Sequence, residues 1–317
     1  MAFEGLFNVN LASAILNSLQ KRLAPFINLF AHNVSGDMLQ QGTAVDVGII
    51  GIEGDAVDLS TVDDDRQHAN ISPKADTTKV SVALANKPAR GFYLDGWDAA
   101  AVADGVISDF LKKKIGNCVG SVSRSVINTV LNMITIANFS YSKSVNLAGF
   151  DSIDISNLRN QVDGYEWPDD EGNIILNSDL YTVLGQDPTI KDKSQSGGAD
   201  TLNTGSIPDV ANFGIWKNTR VPPAGGTPAD ENLVGFAALS SPLAIAMRPL
   251  TVSSIHKGMN ARDFGMIAEE TVIDEQSKVV VTVSIWAHTS KKRFYVCIET
   301  WYGVSTVFGT QLVRLVG

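Results

Sequence analysis

WDAAAVADGVISDFLKKKIGNCVGSVSRSVINTVLNMITIA, residues 97–137, is the stretch on which the fold turns. Val102, Val106 and Phe110, then Val119, Val122, Val126 and Val130, recur at steps of three or four, the spacing of one buried face of an α-helix. Asp95 or Asp98 is placed to cap its start. Gly116 and Gly120 each cost about 1 kcal/mol relative to Ala inside a helix, which predicts a bend or break near Asn117. This is the longest helix the pattern predicts, and a shorter one is expected over residues 155–162.

Upstream of it, residues 43–94 have a different texture. Val45, Val47 and Ile49 alternate with polar or small residues, and Lys79, Val80, Ser81, Val82, Ala83 and Leu84 form a second strand-like piece. Asp63, Asp64, Asp65, Arg66, Gln67 and His68 between them are too polar for a core, so the segment reads as a long hairpin with a solvated tip. A hairpin of that length cannot bury itself and needs a surface to lie on. Further back, Leu11, Ile15, Leu19, Leu23, Ile27 and Phe30 share a helical face interrupted by Pro25, a broken amphipathic arm. Such a stripe either packs on its own subunit or grasps a neighbour.

Downstream, residues 173–249 alternate short apolar stretches with loops rich in Gly, Ser, Asp and Pro, notably 194–200 and 222–228, and read as a mixed α/β lobe. Val279, Val281, Val283 and Ile285 alternate with Thr282, Ser284 and Trp286, and strand-like residues continue over 294–301 and 304–316. Three or four antiparallel strands are expected to close the chain. The class is α+β.

A chain of 317 residues exceeds the size at which one core stops growing, so two subdomains are expected. Hydrophobic residues at 44% and charged residues at 19% exclude global disorder. The net charge of -9 argues against the basic stripe of a dedicated nucleic-acid binder. Cys118 and Cys297 lie far apart without CxxC spacing, which suggests reduced, buried thiols in place of a disulfide framework or zinc knuckle. Lys21 and Arg22 follow the N-terminal apolar residues instead of preceding them, unlike a signal peptide, and no apolar run is long enough to span a membrane.

Residues that carry chemistry are sparse. His32, His68, His256 and His288 are scattered without metal-ligand spacing, and the nucleotide-binding and hydrolase signatures are absent, so neither cofactor nor metal is expected. The Asp63 to Asp65 run lacks the alternation and distant Glu of a calcium loop. Basic clusters are limited to Lys112, Lys113 and Lys114 on the long helix and Lys291, Lys292 and Arg293 at a hairpin turn. The Asn-x-Ser sequons at Asn33, Asn70 and Asn138 carry no meaning without secretion.

The succession of arm, polar-tipped hairpin, long helix, mixed lobe and closing sheet is similar to the major capsid proteins of tailed bacteriophages with the HK97-like (Hong Kong 97) fold. Ile174, Ile175, Leu176 and Asn177 followed by residues 178–187 resemble the strand and short helix of that family's axial domain. Residues 205–222 resemble its small-residue turn into a Gly-Phe strand, here in the order Phe213, Gly214. Residues 234–249, VGFAALSSPLAIAMRP, resemble its strand running into an Ala-rich helix. Glu299, Trp301, Tyr302, Gly303 and Val304, with Leu312, Val313, Arg314 and Leu315, resemble its last strands.

The resemblance implies an N-terminal arm at 1–42, an extended hairpin (E-loop) at 43–94, a peripheral domain at 95–145 and 249–317 with spine helix and closing sheet, and an axial domain at 146–248. It implies a non-enzymatic head protein that self-assembles into hexamers and pentamers of an icosahedral shell around double-stranded DNA, in the virion, after assembly in the bacterial cytoplasm. Leu11, Ile15, Leu19, Leu23, Ile27, Phe30, Asp63, Asp64, Asp65, Arg66, Lys112, Lys113 and Lys114 are then subunit-interface candidates. Implied partners are copies of the chain, a separate scaffolding protein, a portal, a decoration protein, and packaged DNA through weak non-specific contact, with no membrane. Lys79 and Lys87 lie in the hairpin, where some relatives carry a cross-linking lysine, but the resemblance assigns no partner Asn and no cross-link is inferred. The competing readings are a host nanocompartment shell of the same fold and a soluble α/β enzyme.

Overall fold

The computed structural model describes residues 15–17, 19, 23–29, 31–33, 44–49, 78–95, 109–168, 172–191, 207–222, 232–239, 241–249, 266–274 and 278–317. The chain passes through α1 (Ala24–Asn28), β1 (Ala31–Asn33), β2 (Ala44–Ile49), β3 (Thr78–Ala83) and β4 (Ala89–Asp95) to α2 (Asp109–Asn132). Then come β5 (Ser142–Ser144), α3 (Ser152–Asp163), β6 (Asn173–Leu176), α4 (Ser178–Leu184), α5 (Pro188–Lys191), β7 (Gly214–Lys217), β8 (Leu233–Ala238) and β9 (Leu243–Arg248). The last strands are β10 (Met266–Ile273), β11 (Val280–His288), β12 (Arg293–Glu299), β13 (Trp301–Thr306) and β14 (Leu312–Val316).

The expected break near Asn117 does not occur, because α2 is continuous through both glycines. Ile115, Cys118, Val119, Val122, Val126, Ile127, Val130 and Leu131 are buried in the main core, and burial of that stripe outweighs the propensity cost of Gly116 and Gly120. The helix stops at Asn132, short of the expected 137, in a tighter turn in which Ile134 N–H bonds Leu131 O and the Asn138 side chain donates to Met133 O at 2.8 Å. Residues 97–108, with their cap candidate Asp98, fall outside the described residues, as do the loops 194–200 and 223–228.

Two helices of the lobe start where a side chain can accept backbone N–H groups. Asp151 Oδ1 accepts from Ile153 at 3.0 Å and Asp154 at 3.1 Å to open α3, and Asn177 Oδ1 accepts from Leu180 at 2.8 Å to open α4. The helix expected over 155–162 is α3, buried through Ile155, Leu158 and Val162.

A five-stranded sheet, β5-β14-β8-β6-β7, separates two cores. Ile174, Leu176, Val313 and Leu315 face the lobe core with Leu158 and Leu180, whereas Ile175 and Leu312 face the main core with α2. A sheet covered on both faces needs apolar residues at every position, and all six of β8 are buried. The register shift between Leu315 and Val316 disturbs the alternation of β8, so Val234 and Ala237 reach the lobe core while Leu233, Phe236 and Ala238 reach the main one.

The Ala-rich segment after β8 is a strand and not the helix the resemblance implied. β9 forms the centre of the sheet β1-β9-β13. Leu243, Ile245 and Met247 point into the main core, while Ala244 and Ala246 lie under Val80, Val82 and Leu84 of the hairpin. The alanines serve close layering, in which a larger side chain would hold the hairpin away. The closing strands also divide differently from the single sheet expected. β11 and β12 pair in the sheet β10-β11-β12-β4, but β13 pairs with β9 and β14 with β8. Thr300 between β12 and β13 is buried, with Oγ1 bonded to Val280 O at 2.7 Å, and from there the chain leaves the four-stranded sheet.

Gly303 pairs with Ala246 directly beneath β3. A Cβ there would fall on the backbone carbonyl of Ala83 and within 3.1 Å of a Val82 methyl, so only glycine permits the crossing. Gly303→Ala is expected to cost about 3 kcal/mol of unfolding free energy through overpacking. Gly116→Ala, whose methyl meets nothing within 4 Å, is expected to gain about 0.5 to 1 kcal/mol from helix propensity. Urea midpoints followed by circular dichroism check both, and an unchanged midpoint for Gly303→Ala would contradict the crossing.

Candidate assembly surfaces

The arm residues turn inward. Ile15, Leu19, Leu23 and Ile27 are at most 2% exposed and belong to the main core of their own chain. Pro25 lies in the first turn of α1, where its missing N–H costs nothing, and Leu23 N–H and Ile27 N–H bond Leu19 O and Leu23 O across it. β1 then adds to β9 in parallel, with Ala31 opposite Leu243. In the single chain these four side chains cover apolar surface that the main core would otherwise expose. Leu11 and Phe30 fall outside the described residues.

The hairpin is anchored at its base. β2 and β3 pair antiparallel from Ala44 opposite Ala83 to Ile49 opposite Thr78, and the chain between them, with Asp63, Asp64, Asp65 and Arg66, lies outside the described residues. Three bonds hold the base down: Trp301 Nε1 donates to Leu84 O at 2.6 Å, and Asn86 and Tyr302 exchange backbone hydrogen bonds of 3.0 and 2.9 Å. The Tyr302 hydroxyl continues inward to Thr129 Oγ1 at 2.7 Å and to Ser125 O at 3.3 Å, on α2. One residue thus ties the hairpin base to the long helix. Lys87 lies over the Trp301 ring at 4.5 Å, a cation–π contact. Lys113 and Lys114 are exposed on α2, and Lys112 lies in the same helix.

The face of the four-stranded sheet turned away from α2 was not singled out from sequence. Trp286 and Tyr295 stack at 5.5 Å, Tyr93 lies 6.0 Å from Tyr295 and is 50% exposed, and Arg293 covers Tyr93 at 4.3 Å while its Nε bonds Asp95 at 2.9 Å. The signal was present in β12, where Arg293, Tyr295, Cys297 and Glu299 alternate with Phe294, Val296 and Ile298. Further along this face, burial and then the charge of Glu269 hold the Glu299 carboxyl above the usual range, against a hydrogen bond from Ser284. Burial, with Glu299 and Cys118 nearby, pushes the Cys297 thiol up to about 11, and burial raises the Cys118 thiol too. Both cysteines are free thiols held protonated; Cys297 is half-buried where full burial was expected.

Among the described residues no cluster of His, Cys, Asp or Glu could hold a metal, and no helix is long and apolar enough to cross a membrane. What the chain presents is an anchored hairpin, an aromatic sheet face and a basic helix side, a set suited to contact.

The fold is the HK97-like capsid fold of tailed bacteriophages. The capsid of the cyanophage P-SCSP1u superposes with a TM-score of 0.55 at 11% identity, over 92% of this chain and 87% of that one. The capsid of Ralstonia phage GP4 gives 0.53 at 9% identity over 93% and 90%, and the mature capsid of bacteriophage PhiM1 gives 0.52 at 11% over 92% and 86%. No protein-family model and no curated sequence matches the chain.

Tyr302→Phe should cost about 1 to 2 kcal/mol, since it strips the Thr129 hydroxyl and Ser125 carbonyl of a buried partner; chemical denaturation against wild type measures it. Glu299→Gln tests the raised carboxyl. Below the ordinary value of 4.5 the acid is protonated in both states, and as pH rises the folded state resists ionisation, so stability falls. The variant should therefore gain on wild type at pH 7 and lose that advantage near pH 4, as thermal melts at the two pH values will report.

Proposed function

We propose that this chain is the major capsid (head) protein of a tailed bacteriophage, a non-enzymatic subunit that assembles into hexamers and pentamers of an icosahedral shell around double-stranded DNA. The observation that supports it best is the match in fold over about nine-tenths of this chain and of phage capsid subunits, in a chain that keeps an anchored hairpin. In this reading the divisions are an arm at 1–42, a hairpin at 43–94, a peripheral domain at 95–145 and 249–317, and an axial domain at 146–248.

The working parts are surfaces. The hairpin beyond β2 and β3, with Asp63, Asp64, Asp65 and Arg66, reaches an adjacent subunit, and Lys112, Lys113 and Lys114 serve a neighbouring contact. Rotations between such heterologous contacts close rings. Apolar area buried between subunits contributes roughly 25 cal/mol per Å² before ordering costs are subtracted. A separate scaffolding protein, a portal and a decoration protein complete the partners, and the shell forms in the bacterial cytoplasm. The net charge of -9 keeps contact with packaged DNA weak, since phosphate neutralisation dominates such binding.

Electron microscopy of the expressed chain, alone and with a co-expressed scaffolding protein, tests the reading. Closed shells or rings of five and six are expected. A monodisperse monomer under both conditions refutes it.

A further inference from the structure

A cavity of about 220 Å³ opens between β4 and α2, and its chemistry is one-sided. Lys114, Asn117, Ser121 and Arg124 line it from the helix at steps of three and four, Arg90 faces them from β4, and Cys118 also contributes to the wall. Among the described residues no carboxylate lines it. None of the three cations forms an ion pair with a described residue, in a chain where Asp and Glu outnumber Lys and Arg by 34 to 25. Arg90 and Lys114 both draw the Cys118 thiol downward against its burial, so their charges reach the cavity wall.

Three like charges that line one cavity repel and gain from a shared counter-ion. A cleft lined by one sign of charge concentrates anions. Two guanidinium forks match tetrahedral phosphate oxygens, and Asn117 and Ser121 add neutral donors. A carboxylate needs one such fork, whereas a multiply charged oxyanion uses all three cations. At about 30 Å³ per water the cavity also has room for a phosphate group with part of its hydration shell.

We propose that Arg90, Lys114 and Arg124 form a binding site for a phosphate-type oxyanion, supplied either by free phosphate or by a nucleic-acid backbone. The site lies within one chain and does not depend on shell assembly.

Inorganic phosphate titrated calorimetrically into the full chain, and a 20-base-pair duplex followed by fluorescence anisotropy across a salt series, separate the two sources. Arg90→Ala/Arg124→Ala is expected to weaken phosphate binding at least tenfold, while Arg90→Lys/Arg124→Lys, which keeps the charge, retains most of it. If the backbone is the source, the alanine variant also flattens the salt dependence of duplex binding by about one unit of log–log slope per lost cation. If duplex binding is unchanged while phosphate binding is lost, free phosphate is the ligand. Phosphate binding equal in wild type and alanine variant, or absent from wild type, overturns the proposal. Loss of assembly in the alanine variant without any phosphate binding by wild type overturns it too, and points to a neighbour's carboxylates. All three side chains are exposed, so melting curves of the variants should match wild type.

Discussion

The passage of β3 over β13 at Gly303 is the constraint on which the rest of the molecule depends. Where the two strands cross, the lower sheet presents Ala244, Ala246 and Gly303, and that thin row lets Val80, Val82 and Leu84 settle beside Trp301. The crossing lies immediately above the Tyr302 hydroxyl, which bonds Thr129 on α2, so hairpin, sheet and long helix meet at two consecutive residues. A hairpin without this seat would be a pair of strands with little to bury. Seated, its base is held by the layer beneath it and by the Trp301 and Tyr302 hydrogen bonds.

The second organising feature is the sheet that separates the two cores. Because β6, β8 and β14 are covered on both faces, displacement of α2 on one side or α3 and α4 on the other is transmitted through one closely packed layer. The arm belongs to the same arrangement. Its buried stripe closes the main core, and β1 extends the sheet that carries the crossing, so the arm stabilises the platform from which the hairpin projects.

Much of this was legible in the residues. The steps of three and four in α2, the alternation in β2 and β11 and the order of unlike segments all follow from local geometry, and that order led to the capsid fold. For residues 243–248 the resemblance implied an Ala-rich helix, whereas the small size of Ala244 and Ala246 answers to a strand crossing overhead. The glycines of α2 suggested a break because propensity is local, whereas the buried stripe on either side keeps the helix continuous. The aromatic face and the cavity cations were missed because Tyr93 and Trp286, or Arg90 and Arg124, are far apart in sequence and meet only by strand register and helix packing.

By itself, then, the sequence determined the elements and their order, since hydrophobic period, caps and turn residues act over a few neighbours. Tertiary structure decided which strands share a sheet, that the arm stripe faces its own core, and that Arg90, Lys114 and Arg124 line one cavity. Those outcomes depend on contacts between residues as much as 217 positions apart, and chain pattern carries no term for them until the layers are packed.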